Sequence, residues 1–285
     1  MKISFIVLTY NRTDALLAVL RSLAKQCHAD HEVLVTDDGS SAEQVNLLRE
    51  NCPEFSCLVR HVWHPDFGFT ASRARNLGAY HATGDYLVFL DGDCVPGPTF
   101  VKAHTQLAEK TCLVNGSRVL LSEQLTQRVV NNQIDLTNQS LHFWIKTWFK
   151  GDSNKLLHLM GWPGSLYRLQ RKFKWKGIRS CNLAVWRKDF FAVNGFDETF
   201  EGWGHEDADL VLRLSHLGIK RKNGFWATEV YHLWHREQQR VQASTNQQKV
   251  FDRIKTFQIM ADKGLTQIEP HASGEVTQLS TLKQI

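Results

Sequence analysis

No stretch of about 18 apolar residues occurs in the chain, so no segment is expected to cross a membrane as a helix. The opening run Ile3-Ser4-Phe5-Ile6-Val7-Leu8 is cut off by Thr9-Tyr10-Asn11-Arg12. It is too short for a secretory core with a cleavage site, and a cytoplasmic protein is the expectation. The six cysteines (27, 52, 57, 94, 112 and 181) contain no CxxC pair. That argues against a disulfide scaffold and for reduced thiols. No basic helix or recognition motif stands out, so nucleic acid is not an expected partner. There is no internal repeat, and no Gly-rich, Lys/Arg-bearing loop follows the first apolar run.

What is present fits a folded globular protein. The 285 residues suffice for one large α/β domain with a modest appendage. Hydrophobic residues make up 42% and charged residues 22%, which limits disorder to the ends. Nine Trp is high for this length, and some should line a site or interface, because a buried indole N–H wants a partner. The net charge of +5 permits an anionic partner without demanding one.

Residues 3–9 read as a buried strand, followed by a helix from an N-cap at Thr13 to about Cys27, with Leu16, Leu17, Leu20 and Leu23 at helical spacing. Glu32 to Thr36 is a second strand, 42–50 a helix, Cys57 to Val62 a strand, Arg73 to His81 a helix and Tyr86 to Leu90 a strand. This alternation predicts a doubly wound, Rossmann-like α/β fold with a mostly parallel sheet flanked by helices. Ligands of such sheets bind beyond the carboxyl ends of the strands. Three polar clusters fall there and should converge: Thr9-Tyr10-Asn11-Arg12, Asp37-Asp38-Gly39-Ser40 and Asp91-Gly92-Asp93. Residues 141–180 read as an irregular, partly helical insertion, and 206–217 as a helix opening on acids. Residues 236–263 read as a helix turning Val241, Val250, Phe251, Ile254 and Phe257 inward, and the last fifteen or so residues as a loose polar tail. The expected division is 1–115 and 116–263 as two halves of the same domain, and 264–285 for the tail.

Each constellation has a bland reading beside its functional one. Two carboxylates one residue apart at a strand end, Asp91 and Asp93, can share a hard divalent cation that bridges phosphates, or can simply be a solvated turn. Asp37-Asp38-Gly39-Ser40 is good turn chemistry, and also offers a carboxylate to a base or ribose. In Gly202-Trp203-Gly204-His205-Glu206-Asp207-Ala208-Asp209 the acids complement a helix dipole, which leaves Gly-Trp-Gly unexplained. An indole beside a carboxylate suits a sugar. His232 and His235 are core or surface histidines unless a carboxylate pair lies near. Mixed O and N ligation would then favour Mn²⁺, with Mg²⁺ as second choice and zinc weaker still.

Taken in order, these motifs resemble the family 2 glycosyltransferases of the GT-A fold over the first half. The matching pieces are Thr9 to Arg12, Asp37 to Ser40, Ala74-Arg75-Asn76-Leu77-Gly78 and Phe89 to Asp93. Asn194-Gly195-Phe196-Asp197-Glu198, Gly202 to Asp207 and His232-Leu233-Trp234-His235 resemble the C-terminal module of β-1,4-galactosyltransferases and bacterial chondroitin polymerase. The resemblance implies an inverting, metal-dependent transfer of a hexose-type sugar from a UDP-sugar to a glycan or glycolipid hydroxyl, as in bacterial surface polysaccharide or lipopolysaccharide assembly. It implies that Asp38 accepts from uracil N3–H, that Arg75 or Arg73 sits near the base or diphosphate, and that Asp91 contacts the ribose. Thr9, Asn11 and Arg12 belong to the same nucleotide set. Asp93 and His235, with His232, are implied metal ligands. Asp207 is the implied base, and Glu206 and Trp203 hold the acceptor; Cys94 has no implied role.

Processive members of that family carry membrane helices and a Gln-x-x-Arg-Trp motif, and this chain has neither, so one transfer per encounter is expected. The basic aromatic stretch 167–175 suits a peripheral contact with the inner face of the membrane, and Gly161-Trp162-Pro163-Gly164 is a candidate lid. The competing readings are a sugar nucleotidyltransferase, which wants the Gly-rich first loop, and a non-catalytic glycan-binding module, which should lack a base or a metal carboxylate.

Overall fold

The computed structural model describes residues 1–156, 159, 168–170, 177–202, 204–236, 243–269 and 274–280. In chain order the first half gives β1 (Ile3–Thr9), α1 (Thr13–Ala24), β2 (His31–Asp37), α2 (Ala42–Asn51), β3 (Leu58–Trp63), α3 (Ala71–His81) and β4 (Tyr86–Asp91). There follow β5 (Cys94–Pro96), α4 (Phe100–Leu107), β6 (Cys112–Asn115), β7 (Arg118–Leu120), α5 (Glu123–Val130) and α6 (Leu141–Phe149). The rest gives β8 (Leu169–Gln170), β9 (Asn182–Trp186), α7 (Arg187–Ala192), α8 (Glu206–His216), β10 (Lys220–Asn223), β11 (Val230–His232), α9 (Ala243–Thr256) and β12 (Glu275–Ser280).

One sheet runs in the order β12-β3-β2-β1-β4-β9-β6-β10-β8, and a second, small sheet runs β5-β11-β7. The four strands β3-β2-β1-β4 are parallel, as the alternation with helices requires. Such strands are covered on both faces, which is why β1, β2 and β4 read as near-continuous apolar runs. On one face α1 buries Leu16, Leu20 and Leu23 with α5 and α6; on the other α3, α7 and α8 bury Leu77, Phe190, Leu210 and Leu214. Each fully buried leucine contributes roughly 2 kcal/mol of transfer free energy. Strand order reverses between β1 and β4, so their carboxyl ends open the crevice where ligands of this architecture bind. Farther along, β9 runs antiparallel between β4 and β6.

Several details differ from the sequence reading. Thr13 is the first residue of α1 rather than its cap; its hydroxyl donates to Gln44 O at 3.1 Å, and the helix ends at Ala24. The tail is not loose throughout: β12 pairs antiparallel with β3 and closes that edge of the sheet. Helix α9 is turned differently as well. Val250 is buried, but Phe251 and Ile254 lie partly exposed and Phe257 is 72% exposed; Asn246 and Arg253 point inward instead. Val241 and the segment 161–164 lie outside the described residues. All six cysteines are free thiols. Among the described residues no helix is long and apolar enough to cross a membrane.

Candidate active site

Loops after β1, β2 and β4 meet at the switch point. Gly92 N donates to Leu8 O at 2.6 Å, and a Cβ at Gly92 would lie 2.7 Å from that same oxygen. Only glycine lets the acidic loop leave β4 so close to β1. Thr9 is buried at the end of β1. Asn11, at φ 49°, clasps the neighbouring loop: its N–H donates to Ser40 Oγ at 2.8 Å and its Oδ1 accepts from Ser41 N at 2.9 Å. Asn tolerates this left-handed backbone better than most residues. Arg12 faces outward, 3.2 Å from Asp14.

Asp38 is buried and accepts from Thr70 N at 2.9 Å and from the Thr70 hydroxyl, with His64 Nε2 3.3 Å away. A base N–H at Asp38 would therefore use a lone pair left over from these partners. Asp37 is structural: Ser40 N and His61 Nε2 hold its two oxygens at 2.8 and 3.0 Å.

Between the two arginines the geometry distinguishes clearly. Arg73 Nη1 lies 4.0 Å from Glu198, and its guanidinium sits 5.9 Å from the Phe67 ring. Arg75 is buried at the crevice floor, with Nη2 donating to Asp91 Oδ1 at 2.8 Å, Nη1 3.6 Å from Glu206, and Phe196 beneath it at 5.4 Å. Arg75 thus joins the acid at the end of β4 to the first acid of α8. Its carboxylate neighbours outweigh desolvation and hold its pKa above the ordinary arginine value.

Asp93 Oδ2 faces His235 Nε2 at 3.3 Å and His232 Nε2 at 3.8 Å. The two rings are 5.1 Å apart, and His235 Nδ1 lies 2.8 Å from Arg236 O. The small sheet makes this cluster: β11 sets His232 opposite Cys94, immediately after Asp93. Burial lowers the pKa of His232, which keeps its ring neutral with a lone pair to offer. Asp93, Cys94 and His232 offer donor atoms within 4.8 Å of one another. Burial and Cys181 push the Cys94 thiol well up, so it stays protonated and is the poorest donor of the three. One carboxylate and two imidazoles fit a divalent first-row cation.

Glu206 and Asp207 open α8. The loop before the helix is strained toward this presentation: Gly202, Gly204 and His205 all have positive φ, at 69°, 110° and 72°. No side chain caps the helix, and the first-turn acids complement its free N–H groups. Asp207 accepts from Ala208 N at 2.7 Å and Ser180 N at 3.3 Å. Burial first, and Glu206 second, push its carboxyl up to about 7, against the pull of Arg75 and the two N–H donors. A carboxylate of that pKa is suited to take a proton near neutrality. Trp203 lies outside the described residues.

Sequence reasoning missed what holds this loop. Asn246 Nδ2, on α9, donates to Glu201 O at 3.1 Å and to Gly204 O at 3.0 Å. Lys249 Nζ reaches Thr199 O, and Arg253 binds Asp209 of α8, Asp197 and Asp262. Asp209 also pairs with buried Arg213 at 2.8 Å. The only signal was polar residues at positions 246, 249 and 253 of a helix, a spacing that marks a solvated face equally well. Of the 167–175 stretch, only 168–170 is described. There Arg168 is buried and donates to Asn223 O and Phe225 O at 2.8 and 2.6 Å, so it braces β10 rather than facing a membrane.

A family model described as glycosyl transferase family 2 matches residues 4–179. The chain belongs to that family. A second, described as the N-terminal domain of galactosyltransferase, matches residues 165–238, the part carrying Asp207, His232 and His235. The chain is 29% identical over 235 residues to validoxylamine A glucosyltransferase of Streptomyces hygroscopicus subsp. jinggangensis, covering 76% of this chain and 52% of that one. It is 28% identical over 240 residues to the chondroitin synthase of Escherichia coli, covering 76% and 32%. This family 2 glycosyltransferase therefore spans about half the length of the first relative and a third of the second. Two solved structures share its fold. S. aureus TarS 1–349 in complex with UDP-GlcNAc aligns at TM-score 0.59 and 15% identity, covering 93% of this chain and 69% of that one. GalNAc-T7 with UDP, GalNAc and Mn²⁺ aligns at TM-score 0.54 and 16% identity, covering 88% and 48%. The GT-A architecture expected from the motifs is what these neighbours have.

Proposed function

We propose that this glycosyltransferase is divalent-metal-dependent and inverting, and moves a hexose-type sugar from a UDP-sugar to a hydroxyl of a glycan or glycolipid in bacterial surface polysaccharide or lipopolysaccharide assembly. The observation that carries the reading is the pairing of two chemistries across one crevice. Asp93, His232 and His235 gather at one end, Asp207 with its carboxyl near 7 stands at the other, and Arg75 ties the acids between them.

Asp93, His235 and His232 would hold the cation, Mn²⁺ in preference to Mg²⁺, and when bound it supplies positive charge to the diphosphate oxygens as they leave. Everything else is done by the chain. Asp91, braced by Arg75, presents its free oxygen to the ribose, while Asp38, beside Thr9 and on the loop that Asn11 clasps, receives the uracil; Arg12, at the outer edge, completes the nucleotide set. Glu206 and Trp203 hold the acceptor. Asp207 removes the proton from the acceptor hydroxyl while its oxygen bonds to the anomeric carbon and the bond to the diphosphate breaks. The proton ends on Asp207, the electron pair on UDP, and attack from the face opposite the leaving group inverts the anomeric carbon. Free thiols at all six cysteines suit a reducing, cytoplasmic setting.

The test is UDP release from a panel of UDP-sugars with Mn²⁺, Mg²⁺ or a chelator. Metal-dependent release from at least one UDP-sugar is expected. Release of a different nucleotide, or full release in chelator, contradicts the reading.

A further inference from the structure

Helix α6 divides its surface into three stripes. Trp144 and Thr147 are buried, and Phe143 is partly buried beside them. Leu141, Ile145 and Trp148 follow at i, i+4 and i+7 on a second stripe, with Phe149 beside them. Leu141 is 63%, Trp148 41% and Phe149 76% exposed. His142, Lys146 and Lys150 form the third stripe, all exposed. No Asp or Glu occurs between Asp135 and Asp152. An exposed apolar stripe on a monomer asks for a cover, and here the cover must also tolerate a flanking row of cations.

We infer that the outer face of α6 is a docking surface for an anionic lipid bilayer. Aromatic and leucine side chains entering the acyl boundary, with lysines at headgroup level beside them, is how an amphipathic helix lies in a membrane interface. The anionic leaflet supplies the charge complement to Lys146 and Lys150. A protein groove would satisfy the apolar stripe, but nothing on this helix selects one, whereas the acid-free run of cations and aromatics selects a negatively charged interface. The helix is firmly mounted for the purpose. Ser140 caps it, its hydroxyl accepting from Phe143 N at 3.2 Å. Trp144 stacks on Tyr231 at 4.6 Å and 16°, and Tyr231 is the residue before His232. Docking through α6 therefore turns the Asp93–His232–His235 end of the crevice, where the proposed donor diphosphate is held, toward the lipid surface. Only that last consequence rests on the proposed glycosyl transfer; the binding itself does not.

The experiment is co-sedimentation of the full chain with neutral phosphatidylcholine vesicles and with vesicles containing about a third phosphatidylglycerol. Binding to the anionic vesicles at least tenfold tighter than to the neutral ones is expected. Trp148→Ser with Phe149→Ser should lose at least tenfold on anionic vesicles, and Lys146→Glu with Lys150→Glu a similar factor. Both variants should keep the wild-type melting temperature and UDP-sugar hydrolysis rate. Absence of vesicle binding, equal binding to both vesicle types, or binding untouched by either double variant overturns the proposal. So does a wild-type chain that self-associates through this face, with the aromatic variant monomeric and vesicle binding unchanged. Because no donor or turnover enters the sedimentation, its failure leaves the transfer reaction standing, and a chain with no transferase activity can still bind vesicles.

Discussion

The two ends of the crevice are built by different means. At the donor end, loops leave the carboxyl ends of β1, β2 and β4, and main-chain ladders fix where they start; Gly92 N–H on Leu8 O and Asn11 on Ser40 and Ser41 do the rest. At the acceptor end, a loop with three consecutive described positions of positive φ (Gly202, Gly204, His205) leads into α8, and α9 holds it through side chains. Backbone ladders are insensitive to single substitutions, whereas a buried ionic network fails when one partner is lost. The donor end should therefore lose chemistry without losing shape, and the acceptor end can lose either.

The largest effect is expected at the base. Asp207→Asn should lower transfer by about 10³–10⁴-fold, the range of general-base catalysis, while UDP affinity stays within about threefold. It should also raise the melting temperature at pH 8 by a few degrees, because an ionised carboxyl that burial disfavours is removed. Transfer at the wild-type rate would remove Asp207 from the role. Asp93→Ala should lower metal-dependent UDP release by about 10²–10³-fold, several kcal/mol of charge stabilisation, with an unchanged urea midpoint; normal activity at ordinary Mn²⁺ sinks the ligand assignment. Arg253→Ala leaves Asp197 buried without its cationic partner and Asp209 with Arg213 alone, and should cost about 3–5 kcal/mol in denaturant unfolding. A cost below about 1 kcal/mol would mean that α9 does not hold the acceptor end. Asn246→Asp keeps the shape but replaces the two N–H donations with an oxygen facing the Glu201 and Gly204 carbonyls. Acceptor KM should rise about tenfold with donor-only hydrolysis unchanged, and Asn246→Ala should give a smaller rise. An equal fall in both activities would make Asn246 merely structural.

The donor end was legible because its physics is local. An apolar strand that stops at Asp91-Gly92-Asp93 announces its own carboxyl end, and alternation with helices places three such ends together. The acceptor end was legible in its reactive residues, since Gly202 to Asp207 resembles a known module, as His232 to His235 does at the metal end, but not in its support. Asn246 and Arg253 looked like solvent-facing residues because hydrogen bonds and ion pairs reverse the apolar-inside rule, and their partners, Glu201 and Gly204 for the first and Asp197 and Asp209 for the second, lie far away in the chain. The tail strand β12 was hidden for a related reason. Its attachment is made by main-chain bonds to β3, which leave no side-chain pattern beyond Val276 and Leu279 in a polar stretch. The geometry also sets Arg75 between Asp91 and Glu206 and Arg73 beside Glu198, a difference that residue types alone do not carry.

The central claim is that a buried carboxyl at Asp207, held near pH 7, is the base. A base works deprotonated, so a raised pKa puts the loss of activity on the acid side of about 7. The direct measurement is the pH dependence of kcat/KM for the acceptor from pH 5.5 to 9, at saturating Mn²⁺ and UDP-sugar, with UDP affinity measured at each pH. The account predicts a rise of about tenfold per pH unit below 7 and a plateau above it, with UDP affinity moving far less over the same range and the residual rate of Asp207→Asn flat. A wild-type profile flat down to pH 5.5, or an Asp207→Asn variant that keeps the same break near 7, would contradict it.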